Sequence, residues 1–189
     1  MFTKDLLVID TETTGLDIAK HSLIQIAALR LDGSTLVEVD RYDTYIQLSA
    51  EEWQLQDPKA LEVHKIPYDS LRAAPTLRSV LRELETRFAP EDVLLSAYNL
   101  PFDFGFLYEA YRRLGTKMPY DFHGVDIWAF AYQYWCSVGH TLNPQKRLGF
   151  GLSDVAGMLG VTATGTYHNA LTDCEVEAEL LRRLLARIS

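Results

Sequence analysis

The sequence has few cysteines, no long hydrophobic run and fewer basic than acidic residues. Its two cysteines, Cys136 and Cys174, form no CxxC pair, which argues against a zinc site and against a disulfide framework. No apolar stretch approaches the length needed to cross a membrane, and the N-terminal MFTKDLLVID lacks the pattern of a signal peptide. These absences predict a protein of a reducing, cytoplasmic compartment with no membrane partner.

The charge balance limits the possible partners. The chain has 18 lysines and arginines against 26 aspartates and glutamates, a formal net charge of -8. This balance excludes a broadly basic protein that coats nucleic acid. It does not exclude an enzyme that acts on nucleic acid, because carboxylates that bind metal ions count as negative until the ions are present. The length of 189 residues predicts a single domain over residues 1–189.

The hydrophobic pattern predicts three strands, followed by helices and strands in alternation. The turn signal Asp32-Gly33 separates the second strand from the third, and Asp57-Pro58 favours the start of a helix. The strands are predicted at residues 6–9, 23–31, 36–48 and 93–98. Further helices are predicted at residues 75–88, 101–114, 128–135, 152–159 and 169–186. This order predicts an α/β domain with a mixed sheet.

Two carboxylates follow the first apolar strand. Asp10 and Glu12 are two residues apart, so on a strand their side chains project from the same face. Carboxylates held this close repel each other unless a cation lies between them or one is protonated. Oxygen ligands of this kind suit Mg²⁺. The alternative interpretation is a solvated strand end before a Thr-Thr-Gly turn.

Asp103 is the second candidate acid. Pro101 suits the first turn of a helix, and an anion such as Asp103 is stabilised there by the helix dipole. That stabilisation alone could explain the residue. However, Asp103 shares an apolar helical stripe with Leu107 and Ala110, where a carboxylate needs a partner. A cation shared with the first carboxylate pair would supply one.

The third group is His168 with Asp173. Five residues on a helix correspond to about 500° of rotation, so the two side chains would not share a face if both were helical. We therefore expect His168 at the end of a loop and Asp173 in the first turn of the last helix. Both would then project from the same end of that helix.

The three motifs resemble those of the DnaQ-like, DEDDh-type 3′–5′ exonucleases, the family of the RNase T and polymerase III epsilon-like exonuclease domains. They read Asp-x-Glu, Asn-x-x-Phe-Asp-x-x-Phe-Leu and His-x-Ala-x-x-Asp, in the family's order. The resemblance implies an RNase H-like fold, a five-stranded mixed sheet with the second strand antiparallel, flanked by helices. It implies two Mg²⁺ or Mn²⁺ ions, with His168 as the general base and four metal ligands, Asp10, Glu12, Asp103 and Asp173.

The resemblance also suggests residues beside the substrate. Leu16 would act as a wedge against the terminal base, with Thr13, Thr14 and Gly15 forming the floor beneath it. Asn99 and Phe102 would lie beside the last nucleotide, and His64 near the substrate. Core packing is the alternative role for Leu16 and Phe102, and helix capping the alternative for His64. Lys146 and Arg147 could steer the phosphate backbone or form only a solvated loop.

The expected function is a 3′–5′ exonuclease that releases nucleoside 5′-monophosphates from single-stranded or frayed 3′ ends, with DNA slightly favoured over RNA. One alternative is an enzyme that degrades RNA or short oligonucleotides. Another is a non-catalytic nucleic-acid-binding module of the same fold. The sequence shows no tail for docking to a polymerase, which favours a stand-alone nuclease over a proofreading subunit. The oligomeric state is left open.

Overall fold

A five-stranded mixed sheet forms the centre of the computed structural model, which describes residues 2–139 and 150–188. The strands are β1 (Asp5–Thr13), β2 (Leu23–Leu31), β3 (Glu38–Tyr45), β4 (Val93–Ala97) and β5 (Val125–Asp126). Their spatial order is β3-β2-β1-β4-β5. β2 is antiparallel to β1 and to β3, whereas β4 runs parallel to β1 and β5 parallel to β4. The predicted topology, with an antiparallel second strand, is confirmed.

Helices cover both faces of the sheet. They are α1 (Ala50–Gln54), α2 (Pro58–His64), α3 (Tyr68–Arg72), α4 (Leu77–Arg87), α5 (Leu100–Arg113), α6 (Ile127–Ser137), α7 (Leu152–Leu159) and α8 (Ala170–Ile188). On β1, Leu7 and Ile9 pack against α4 and α5, and Leu6 and Val8 pack against α6, α7 and α8. Burial on both faces explains why the first strand is apolar at successive positions.

Local differences from the predicted elements are small. The third strand is shorter than the predicted residues 36–48, since Leu36 takes a left-handed backbone conformation (φ 58°) and the strand begins at Glu38. The short helix α3 was not predicted, because five residues span too few turns to show a helical repeat. The described residues contain no helix that is both long and apolar enough to span a bilayer.

The position of α8 over the sheet determines where the last motif lies. Cys174 is fully buried, and its Sγ contacts the carbonyl oxygens of Val8 on β1 and Ala27 on β2. The helix therefore begins beside the end of β1 that carries Asp10 and Glu12. The predicted steering residues Lys146 and Arg147 lie outside the described residues.

Candidate active site

The first carboxylate pair lies within β1, near the end of the strand. Asp10 and Glu12 continue the face of Leu6 and Val8, which α8 covers, so the predicted common direction is confirmed. Glu12 is buried and Asp10 is partly exposed. Thr11 points to the opposite face, and its Oγ1 donates a hydrogen bond to Oδ1 of Asp103 at 2.7 Å.

Asp103 comes from the first turn of α5, as predicted. The helix begins after Asn99, which has a left-handed backbone (φ 71°), and Pro101 occupies the first turn. Asp103 is only 3% exposed. Burial raises the pKa of its carboxyl to about 7, and the hydrogen bond from Thr11 opposes this rise. The sequence predicts that buried Asp103 needs a partner, and the hydroxyl group of Thr11 is one.

The third motif lies where a loop enters α8. His168 is exposed and has a left-handed backbone (φ 65°), and its N–H donates to Oδ2 of Asp173 at 2.9 Å. This hydrogen bond fixes the distance between the loop and the first turn of the helix. Glu12, His168 and Asp173 each offer a ligand atom, and the three atoms lie within 4.8 Å of one another. Segments from the two ends of the chain therefore meet at one place.

The site concentrates negative charge in a buried environment. Burial, followed by the charges of neighbouring carboxylates, raises the pKa of Glu12 to about 8 and the pKa of Asp10 well above its ordinary value. Burial also raises the pKa of Asp173, whose Oδ1 has no hydrogen-bond partner among the described residues.

A divalent cation would offset the energetic cost of burying these carboxylates close together. In the described part of the chain, no lysine or arginine forms an ion pair with Asp10, Glu12, Asp103 or Asp173. Carboxylate and imidazole groups are suitable ligands for divalent metals. The unpartnered oxygen and the close carboxylates therefore fit a metal centre.

An open cleft of about 340 Å³ lies over these residues. Leu16 projects into it and is 78% exposed, so the core-packing alternative is wrong for this residue. Phe102 lines the cleft and also packs against Phe106, with the ring centroids 5.0 Å apart. Nine of the twelve predicted site residues line the cleft: Asp10, Glu12, Thr13, Gly15, Leu16, His64, Phe102, His168 and Asp173.

Three predicted residues do not line the cleft. Asp103 lies behind it, against Thr11. Thr14 is buried, with its Oγ1 accepting from the N–H of Ser22 and its carbonyl oxygen accepting from the N–H of Asp57. These groups of Thr14 are engaged within the protein, and its predicted place in the floor beneath the terminal base stays a prediction.

Asn99 is the third predicted residue that does not line the cleft. It is exposed at the start of α5, and its backbone N–H donates to Oδ1 of Asp126. The left-handed conformation of Asn99 is one that asparagine tolerates better than most residues. This conformation suits the turn into α5. Asn99 does not line the cleft, and its expected place beside the last nucleotide stays a prediction.

His64 caps the end of α2 and also lines the cleft, and its place near the substrate stays a prediction. Its Nδ1 accepts from the N–H of Ile66 at 2.9 Å, which stabilises the end of α2. The ring is buried at the wall of the cleft, and burial lowers its pKa. Nε2 is buried and has no partner among the residues that the structure describes.

The sequence prediction missed one wall of the cleft. Asp57, Lys59, Ala60 and Val63 line it from α2. The N-cap role of Asp57 is confirmed, since its side chain accepts from the N–H of Lys59. No signal in the sequence indicates which face of so short a helix meets the site. The buried Glu177 of α8 was missed as well.

Solved structures with this fold include nucleases. The zinc-bound E. coli ExoI–ssDNA complex matches 98% of this chain and 41% of its own, with a TM-score of 0.81 and 18% identity. The nuclease domain of 3′hExo, a DEDDh family member bound to rAMP, matches 97% of this chain and 92% of its own, with a TM-score of 0.78 and 17% identity. At these identities the likeness establishes the RNase H-like fold.

Comparisons of sequence establish the family. DNA polymerase III subunit epsilon of Haemophilus influenzae is 27% identical over 184 residues, which cover 92% of this chain and 64% of that subunit. The chain spans only 12% of the length of the PolC-type DNA polymerase III of Oceanobacillus iheyensis, at 26% identity over 188 residues. A family model described as an exonuclease matches residues 7–181. The chain belongs to the DEDDh family of 3′–5′ exonucleases.

Proposed function

We propose that the chain hydrolyses phosphodiester bonds from the 3′ end of nucleic acid and releases nucleoside 5′-monophosphates. The observation that carries this proposal is the meeting of Glu12, His168 and Asp173, whose ligand atoms lie within 4.8 Å of one another at the edge of an open cleft. Asp10 lines the same cleft and Asp103 lies directly behind it. A non-catalytic binding module would gain nothing from so costly a group of buried acids.

We assign two divalent ions, Mg²⁺ or Mn²⁺, to four carboxylates, those of Asp10, Glu12, Asp103 and Asp173. These residues would hold the ions where their charge would offset the negative charge that develops on the phosphate and on the departing 3′-oxygen. Thr11 holds Asp103 through its hydroxyl hydrogen bond, so it acts as a positioning residue. Asp173 is oriented by the backbone N–H of His168.

His168 is proposed as the general base. Its ring is exposed beside the buried Glu12 and Asp173, so it can reach a water molecule at the edge of the site. A neutral imidazole there would take a proton from the attacking water.

The walls of the cleft favour an unpaired 3′-terminal nucleotide. Leu16, Val63 and Phe102 present apolar surface, to which an unstacked base binds favourably. Thr13, Gly15 and His64 would lie around the same nucleotide. We infer single-stranded or frayed DNA as the preferred substrate and RNA as the second candidate. Support comes from ExoI, whose structure is a complex with ssDNA, and 3′hExo, which is bound to rAMP.

The proposed biological role of the exonuclease rests on the similar proteins described above. DNA polymerase III proteins among them favour a polymerase partner and a part in proofreading or repair. Degradation of RNA or of short oligonucleotides is the alternative, supported by the rAMP-bound neighbour. The single domain over residues 1–189 and the cytoplasmic setting remain predictions.

The test is digestion of labelled strands. Single-stranded DNA, duplex DNA with a frayed end and RNA, each labelled at the 5′ or the 3′ end, are incubated with Mg²⁺, Mn²⁺ or EDTA. We expect a ladder from the 5′-labelled strands and labelled mononucleotide from the 3′-labelled strands, both abolished by EDTA. Asp10→Ala should abolish activity, and Asp69→Ala, which changes an exposed acid of α3, should not. Full activity in EDTA or of Asp10→Ala would refute the proposal.

A further inference from the structure

The helix α8 carries a second buried acid one turn after Asp173. Glu177 is 1% exposed, and its spacing of four residues places it on the same helix face as Asp173. It does not line the cleft but lies behind it, in the layer between α8 and the sheet. The proposed chemistry assigns no task to this residue.

The carboxylate of Glu177 is only half satisfied. The backbone N–H of Tyr98 donates to it, but the buried Oε2 has no hydrogen-bond partner among the described residues. Its two glutamate neighbours on α8, in contrast, both form ion pairs. Glu175 forms an ion pair with Arg41, and Glu179 forms ion pairs with arginines near the end of the helix. No such ion pair reaches Glu177 within the described ranges.

The electrostatic neighbours of Glu177 are the acids of the site. After burial, the charges that raise the pKa of Asp10 most are those of Asp103 and then Glu177. The charges of Asp103 and Asp173 act in turn on Glu177. The four-residue spacing on α8, which places Glu177 beside Asp173, and the burial of its unpartnered Oε2 agree with a place next to the proposed metal ligands.

We propose that Glu177 is a fifth carboxylate of the metal centre, which strengthens the binding of divalent cations from behind Asp10 without contacting the substrate. The inference rests on the proposed function, since it needs a cation at this site. A buried carboxylate with an unpartnered oxygen destabilises the folded protein, and an apolar side chain of similar size would be more favourable. A divalent ion close by converts this unfavourable charge into an attractive one.

A purely structural role is the competing explanation, because Glu177 also accepts the hydrogen bond from Tyr98. Two substitutions separate the roles. Glu177→Gln keeps the length and the acceptor oxygen but removes the charge. Glu177→Asp keeps the charge but shortens the side chain by one methylene, which weakens its reach to Tyr98. The charge hypothesis favours the Asp variant for metal binding, and the structural hypothesis favours the Gln variant.

The experiment is calorimetric titration with Mn²⁺ in the absence of nucleic acid. We expect Glu177→Gln to weaken Mn²⁺ binding by about 10- to 100-fold, the range typical of residues that support metal ligands. Glu177→Asp should retain more affinity than Glu177→Gln. The matched control Glu175→Gln, which removes a surface ion pair from the same helix, should bind Mn²⁺ like the parent protein. Thermal unfolding in EDTA is measured alongside, and Glu177→Gln should unfold at a higher temperature than the parent protein.

The outcomes distinguish this inference from the proposed function. If the parent protein binds Mn²⁺ and digests DNA but Glu177→Gln binds Mn²⁺ equally well, only the role of Glu177 is overturned. The same conclusion follows if Glu177→Gln is less stable than the parent protein in EDTA, or if the Gln variant binds Mn²⁺ better than the Asp variant. If the parent protein itself fails to bind Mn²⁺, the metal centre and the proposed function are refuted together.

Discussion

Removal of divalent metal should make the stability of the protein fall as the pH rises. Burial and neighbouring charges raise the pKa of Glu12 from 4.5 to about 8 and the pKa of Asp103 from 3.8 to about 7. In the unfolded chain both acids lose their protons near their ordinary pKa values. At pH values between the ordinary pKa of each acid and its raised pKa in the folded protein, the folded protein holds protons that the unfolded chain has released. The free energy of unfolding therefore decreases with pH over this interval.

The size of the effect follows from these pKa values. One pKa unit corresponds to about 1.4 kcal/mol, so the rise at Glu12 alone is worth on the order of 5 kcal/mol. Because the acids interact, their contributions are not additive, and the whole centre should lose several kcal/mol between about pH 4.5 and about pH 8. Domains are typically stable by only about 5–15 kcal/mol. The loss should therefore be easy to measure.

The assay is urea unfolding at a series of pH values from 5 to 9, in EDTA and in saturating Mg²⁺. In EDTA the free energy of unfolding should fall up to about pH 8 and then level off. In Mg²⁺ this fall should be reduced or reversed, because the ions bind the deprotonated carboxylates. Glu12→Gln should flatten the curve in EDTA. A flat curve for the metal-free parent protein would refute the account of the buried acids.

Three further predictions concern single side chains. His168→Ala should lower turnover by roughly 100- to 10,000-fold and leave Mn²⁺ affinity within about tenfold of the parent value, and near-normal turnover would contradict its role as base. Leu16→Ala should slow digestion of duplex ends more than digestion of single strands, and an equal loss on both substrates would contradict its role as wedge. Thr11→Val should lower the free energy of unfolding in urea by about 1–3 kcal/mol, since buried Asp103 loses its donor, and unchanged stability would contradict that assignment.

The sheet and the central acids could be predicted because their signals are local. Leu6 to Ile9 is apolar at every position because β1 is buried on both faces, and Asp10 and Glu12 share a face because strands alternate. His168 and Asp173 belong to one loop and the helix turn that follows it. Each of these relations spans only a few residues.

Side-chain direction at the starts and ends of helices could not be predicted in the same way. Asn99 matches a motif position, yet its left-handed backbone turns the chain into α5 and leaves it off the cleft. Lys59 matches no motif, yet α2 brings it to the cleft wall. Burial at Glu177 depends on how α8 packs on the sheet, and the four glutamates and aspartates of α8 look alike in sequence.

The link between the wall of the cleft and the buried Asp103 is the relation that the local sequence least reveals. Arg113, in the last turn of α5, donates to the carbonyl oxygens of Ile18 and His21 and pairs with Glu109. Ile18 and Arg113 are 95 residues apart in the chain. The guanidinium thus attaches the loop that carries Leu16 to the helix that carries both Phe102 and Asp103. Since α5 carries Phe102 and Asp103 and holds the loop of Leu16, we expect the proposed sites for the terminal nucleotide and for the metal ions to be linked through this helix.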